Sequence, residues 1–165
     1  MAFFPVFGGD RLAAIVTDAR TLAHPVTVGA KIIPLGNRVS VPAFVVPQSV
    51  VFRAADGVEV HGQLFRAVGS AARQPAVVYI HGGPRRQMLA GFHPSGYYSH
   101  GYIVNQTLAA RGYTVLAVNY RGGTGYGLAF RDAAETGRDG ASEYRDILAA
   151  GRWLAARPDV DPDRI

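Results

Sequence analysis

Ala76-Val77-Val78-Tyr79-Ile80-His81-Gly82-Gly83-Pro84 decides the fold class of this 165-residue chain. Five apolar residues in succession leave neither face of the segment to water, the pattern of a strand buried in a sheet that is covered on both sides. The run stops at His81, where two glycines and a proline demand a sharp turn. Towards the C-terminus, the spacing predicts a helix over 103–110, closed by Arg111 in a cationic last turn and by Gly112 as the residue after the cap. Tyr113 to Tyr120 reads as a second buried strand. A second helix is predicted over 142–157, with Tyr144, Ile147, Leu148, Gly151, Leu154 and Ala155 on an apolar stripe that belongs in the core and Pro158 as its stop. Strand, helix, strand, helix implies a parallel sheet with right-handed crossovers. The closing Asp161-Pro162-Asp163-Arg164-Ile165 reads as a turn into a further strand, so the chain is expected to be a fragment of a longer protein.

Towards the N-terminus, Val50 to Ala54 and residues 58–65 flank Asp56-Gly57, a β-hairpin signal, and a polar loop over 69–74 follows. Before Pro47 the chain reads as short apolar runs, Leu12 to Val16, Val26 to Leu35 and Val39 to Val46, separated by turn residues. Three such strands leave two edges and a thin core, so they are expected to belong to a larger β-structure. The boundary between this all-β unit, 1–47, and the α/β unit, 48–165, falls at a change of texture.

Composition removes several function classes. The chain has no cysteine, hence no disulfide framework, no thiolate nucleophile and no cysteine-ligated zinc or iron–sulfur site. No apolar run approaches the ~18 residues of a membrane span, and the first ten residues lack the basic and apolar regions of a signal peptide, so a soluble chain without a membrane partner is expected. The net charge of +5 comes from 17 Lys and Arg against 12 Asp and Glu. The arginines are scattered from Arg11 to Arg164, with Arg85-Arg86 the one adjacent pair, so no patch tracks a phosphate backbone and nucleic acid is not expected as a partner. His93 and His100 stand seven apart without a nearby carboxylate, which is poor metal-ligand spacing, and no metal or other cofactor is expected.

The glycines of Arg121-Gly122-Gly123-Thr124-Gly125-Tyr126-Gly127 follow a strand, but no register gives G-x-G-x-x-G, because Leu128 occupies the third position counted from Gly123. A dinucleotide site is therefore not expected. Nor does any serine sit in G-x-S-x-G: Ser99 has Tyr97 two before it, Ser142 has Tyr144 two after it, and Ser40, Ser49, Ser70 and Ser95 lack both glycines.

Three stretches together, Val77 to Pro84, Val118 to Gly127, and the Asp146 to Ile165 helix with its Asp-Pro-Asp-Arg-Ile ending, resemble the first half of the catalytic domain of the prolyl oligopeptidase family of serine peptidases. The dipeptidyl- and acylaminoacyl-peptidase branches are the nearest in pattern. The resemblance implies an α/β-hydrolase fold, truncated before the nucleophile elbow, over 48–165, and closing strands of a β-propeller over 1–47. It implies peptide hydrolysis through an acyl-enzyme, with Gly83 N–H as one oxyanion donor, Gly82 beside it, and the amide after the nucleophile as the other. The elbow would follow the Asp-Arg-Ile strand start, so the whole triad is expected beyond Ile165 and this chain alone is expected to be inactive. His81 and Pro84 are expected to order the loop.

Arg85, Arg86, Tyr120 and Arg121 are candidates for contact with a peptide substrate; solvated loop arginines, and an Arg121 salt-bridged beneath the sheet, are the alternatives. Tyr97, Tyr98 and Tyr102 either line a cleft or pack the loop onto the sheet. A carboxylesterase-type hydrolase, whose HGG turn carries a third glycine where this chain has Pro84, and a non-catalytic binding module stay open as other functions.

Overall fold

The computed structural model describes residues 1–66 and 73–165; the part of the predicted polar loop before Arg73 lies outside them. Two four-stranded sheets follow one another along the chain. The first is an antiparallel meander of β1 (Ala2–Gly8), β2 (Arg11–Val16), β3 (His24–Val28) and β4 (Ile32–Pro34), each paired with the next. Only Ala14 and Val26 among its strand side chains are buried, so its core is thin. Three expectations need correction here. The opening residues form a strand, with Pro5 tolerated because the register slips between Phe3 and Val6 on an edge. The run from Val26 to Leu35 is two strands, since a turn intervenes at residues 29–31. Val39 to Val46 is no strand: Ser40 makes a single bridge to Thr21, and Val41, Phe44 and Val45 pack down onto a helix of the second unit.

The second sheet has the order β5 (Gln48–Arg53), β6 (Glu59–Phe65), β8 (Thr114–Asn119), β7 (Ala76–Ile80). β5, β6 and β8 pair antiparallel, and β7 lies parallel to β8. A parallel neighbour requires a crossover, and α1 (Gly96–Ala110) supplies it. A four-residue helix α2 (Leu128–Arg131) and a longer α3 (Glu143–Ala155) follow β8. Strand side chains alternate between faces, and the two cores follow that period. Leu116 and Val118 of β8 join Val60, Leu64, Ala150 and Leu154 beneath α3, whereas Val115 and Ala117 join Phe65, Phe92, Tyr102 and Ala109 beneath α1. The unit is thus an α/β sandwich of helix, sheet and helix, and every residue of β8 is buried.

Both helices depart from the sequence reading. α1 begins seven residues early, because Tyr98 and Gly101, which read as loop, lie on its buried face; a Cβ on Gly101 would run into the Tyr79 hydroxyl. Its end is as read, with Gly112 at φ +88°. On α3 the buried residues are Asp146, Ala149, Ala150 and Leu154, while Tyr144 (61% exposed), Leu148 (41%) and Ala155 face outward. The stripe is rotated because an acid, Asp146, occupies the inner face opposite an arginine.

Candidate active-site turn and its ionic support

The turn after β7 and the loop after β8 leave the sheet side by side at the carboxyl ends of two parallel strands, where open α/β sheets bind ligands. His81 is buried, and its ring stacks on Tyr120 with centroids 4.8 Å apart. His81 Nδ1 lies 3.1 Å from the Gly82 carbonyl, and burial pulls the imidazole pKa below its ordinary value, keeping the ring neutral. Gly82 and Gly83 are exposed; Gly83 has φ +77°, a left-handed conformation that favours glycine. Among the described residues, no acceptor takes the N–H of either glycine. The amides predicted to hold an oxyanion are therefore not consumed inside the fold.

Tyr120 donates its hydroxyl to the His81 carbonyl at 2.7 Å, and Tyr98 of α1 donates to the Gly82 carbonyl at 3.1 Å. The turn and the glycine loop touch at Gly123, where a Cβ would come within 2.9 Å of both the Arg86 and Tyr120 carbonyl oxygens. Thr124 N–H donates to the Arg86 carbonyl at 3.0 Å. Asn119 closes the same seam: its amide accepts from Met88 N–H at 2.7 Å and donates to the Met88 carbonyl at 3.0 Å and to the Tyr126 hydroxyl at 2.8 Å.

Beneath the loop lies an ionic lock. Arg121 is 5% exposed; its Nη1 and Nη2 reach Asp56 at 2.7 and 2.9 Å, and its Nε and Nη2 reach Asp146 at 3.0 and 2.6 Å. The Arg121 backbone N–H also donates to Asp146, at 2.7 Å. The Arg121 guanidinium, with Arg145 behind it, holds the Asp56 carboxyl well below the usual carboxylate range. This ties the β5–β6 hairpin, the end of β8 and α3 together at one point.

Two expected substrate contacts give way to these positions. Arg121 has its guanidinium committed to two carboxylates, and Tyr120 is turned inward with its hydroxyl on a carbonyl of the turn. Arg85 and Arg86 do stand exposed beside the glycines, Arg85 bridged to Asp132 at 3.3 Å. A cavity of about 380 Å³ opens next to them, lined by Pro84, Arg85, Gly122, Arg131, Thr136 and Glu143. Of the three tyrosines, Tyr98 and Tyr102 are buried and Tyr97 is exposed. Tyr102 donates to the Ala19 carbonyl at 2.8 Å, and burial pushes its hydroxyl up to about 12. His93 accepts from Ser95 N–H at 2.9 Å. Sequence reasoning passed over Asn119 and Asp146 as members of the site. A polar side chain closing an apolar strand, and an acid on an amphipathic helix, were the available signals.

Residues 100–165 match the model of the prolyl oligopeptidase family. Those residues belong to that family. Over 124 residues, 73% of this chain and 17% of the relative, the chain is 33% identical to the uncharacterized peptidase YuxL of Bacillus subtilis. It is 35% identical over 91 residues to dipeptidyl aminopeptidase BIII of Pseudoxanthomonas mexicana, covering 55% of this chain and 12% of that protein. The solved structure of puromycin hydrolase superposes on 97% of this chain and 25% of its own, with a TM-score of 0.81 and 26% identity. An acylaminoacyl peptidase of Pyrococcus horikoshii, 22% identical, shares the fold with a TM-score of 0.70 over 93% of this chain and 24% of its own. The chain spans under a fifth of these curated relatives and about a quarter of the solved chains. Among the described residues, no helix is long and apolar enough to cross a membrane.

Proposed function

We propose that this chain is part of a serine peptidase that hydrolyses short peptides through an acyl-enzyme, and that it supplies the Gly83 N–H, with Gly82 beside it, to the oxyanion hole. The observation that carries this reading is the pair of exposed glycine amides at the mouth of β7 and β8 that have no acceptor among the described residues. Acyl transfer builds negative charge on the scissile carbonyl oxygen, and donors fixed before the reaction stabilise that charge without reorganisation. The family match over 100–165 and relatives named as peptidases support the reaction class. No serine of the chain has the elbow glycines, so the proposal places the Ser, His and Asp of the triad outside these 165 residues and makes the isolated chain inactive. Arg85 and Arg86, exposed beside the glycines, are the proposed contacts to the peptide.

Residues 1–47 are proposed as closing strands of a β-propeller that limits entry to short peptides. Propeller blades are four-stranded sheets; the thin four-stranded meander, and a superposition on puromycin hydrolase that takes in nearly the whole chain, support that assignment. The test is a fluorophosphonate probe and a panel of chromogenic di- and tripeptides, applied to the full-length parent and to the 165-residue chain. The parent is expected to be labelled and to cleave, and the chain to do neither. A labelled serine in the isolated chain, or a parent that neither labels nor cleaves, refutes the proposal.

A further inference from the structure

We infer that Tyr98 and Tyr120 are positioning residues that aim the two glycine amides of the turn, an inference that rests on the oxyanion reading above. A trans peptide is planar, and its C=O and the following N–H point in opposite directions. The chain has no cis peptide bond among its described residues. Fixing the His81 carbonyl therefore fixes the direction of the Gly82 N–H, and fixing the Gly82 carbonyl fixes that of the Gly83 N–H. Each carbonyl accepts from a phenol: His81 from Tyr120 at 2.7 Å, and Gly82 from Tyr98 at 3.1 Å, with His81 Nδ1 also 3.1 Å from the Gly82 oxygen. Both amides thus face away from the phenols, and neither meets an acceptor among the described residues. Glycines rotate freely about φ and ψ, so without the two hydroxyls the turn would lose these restraints on its peptide planes.

The phenols are themselves held from two independent elements. Tyr120 precedes Arg121, whose backbone and guanidinium are bound to Asp146, and its ring lies against the His81 imidazole. Tyr98 sits on the buried face of α1, edge-on to His81 at 6.3 Å and 5.1 Å from the His93 ring. His81 is wedged between the two rings, which accounts for a buried histidine whose Nε2 has no partner among the described residues. Burial raises the Tyr120 hydroxyl pKa, so it stays a donor at neutral pH.

The test is made in the full-length parent with Tyr98→Phe, Tyr120→Phe and the double variant, each of which keeps its ring. A lost orienting hydrogen bond corresponds to about a tenfold change, so kcat is expected to fall about tenfold in each single variant and further in the double, with KM near that of the parent. Affinity for a peptide trifluoromethyl ketone, whose adduct places an oxyanion in the hole, is expected to fall in parallel with kcat. A role confined to stability would lower the melting temperature and leave kcat per labelled serine and ketone affinity unchanged, and that result overturns the inference. A parent that cleaves nothing counts against the functional reading alone. The crystal structure of the double variant then decides this inference separately: rotated peptide planes at 81–83 support it, and unchanged planes overturn it.

Discussion

Replacing Asp146 by alanine tests how much of the fold depends on the lock under the glycine loop. Asp146 is fully buried and accepts from the Arg121 backbone N–H, Nε and Nη2, so its removal strands a guanidinium that is itself 5% exposed. Breaking a buried ion pair by removing one partner costs about 3–5 kcal/mol, because the surviving charge is left uncompensated. Asp56 still faces Arg121 from the hairpin, which places the expected loss near the lower end, about 3 kcal/mol. With a urea slope of about 2 kcal/mol per molar, the unfolding midpoint falls by about 1.5 M. Trp153 of α3, the only tryptophan, reports on it directly, since it is half-buried against the core and stacks on Phe52 at 5.7 Å. Equilibrium urea unfolding of the chain, followed by its fluorescence, is the assay. The double variant Arg121→Met/Asp146→Leu removes both charges and is expected to recover most of the loss, because apolar replacement of a buried pair is often neutral or better. A single-variant midpoint within about 0.3 M of the parent chain, on the same slope, would refute the reasoning; so would a double variant no more stable than the single.

Three further outcomes are expected. Acid should unfold the chain in two stages: His81 and His93, their pKa values lowered by burial, contribute stability that is complete above the unfolded histidine value of about 6.5 and is lost below it, and Asp56, held low by Arg121, adds a loss below about 4. Urea midpoints against pH check this, and an Asp56→Asn chain that keeps the full lower stage argues against it. Asn105 is fully buried on α1 with neither amide atom partnered among the described residues, so Asn105→Leu, which keeps the same branching at Cγ, is expected to raise the melting temperature; a fall of several degrees would mean that the amide has a partner in solution. Gly91→Ala would set a Cβ 2.6 Å from the Asp18 carbonyl oxygen, which accepts from Phe92 N–H at 3.1 Å, so the melting temperature should drop, and an unchanged value would show that the crossing between the two sheets is loose.

What was legible in the sequence was what depends on neighbours along the chain. The hairpin around Asp56-Gly57, the strand Ala76–Ile80 and the end of α1 at Gly112 follow from turn chemistry and side-chain period and stand at the residues those rules give, but Ala76–Ile80 is not buried on both faces as read: it lies at the edge of the sheet, with Ala76 alone buried and Ile80 51% exposed. The departures in α1, in α3 and at Arg121 come from contacts between distant segments. The first turns of α1 are polar and glycine-containing, yet the notch at Gly101 receives Tyr79 and Tyr98 reaches the Gly82 carbonyl, so packing makes a helix of residues whose local preference is for loop. The stripe on α3 was counted by hydrophobicity, whereas its inward face is set by the Asp146–Arg121 pair. For Arg121 the alternative of a salt bridge beneath the sheet holds over substrate contact, and its two carboxylates could not be named from the sequence because they lie 65 and 25 residues away.

The turn that carries the exposed amides extends β7, but its accuracy comes from β8. Asn119, Tyr120 and Arg121 leave the end of that strand in succession and take three different partners: the Met88 backbone, the His81 carbonyl, and the Asp146 carboxylate with Asp56. Among the described strands β8 alone is buried at every residue, flanked by β6 and β7 and covered on both faces, so it is the least mobile support among them. Geometry needed within fractions of an ångström is best held from such an element. Conservative changes in the three residues should therefore separate: at 119 the segment around Met88 loosens, at 120 the peptide planes of the turn turn, and at 121 the hairpin and α3 part from the sheet.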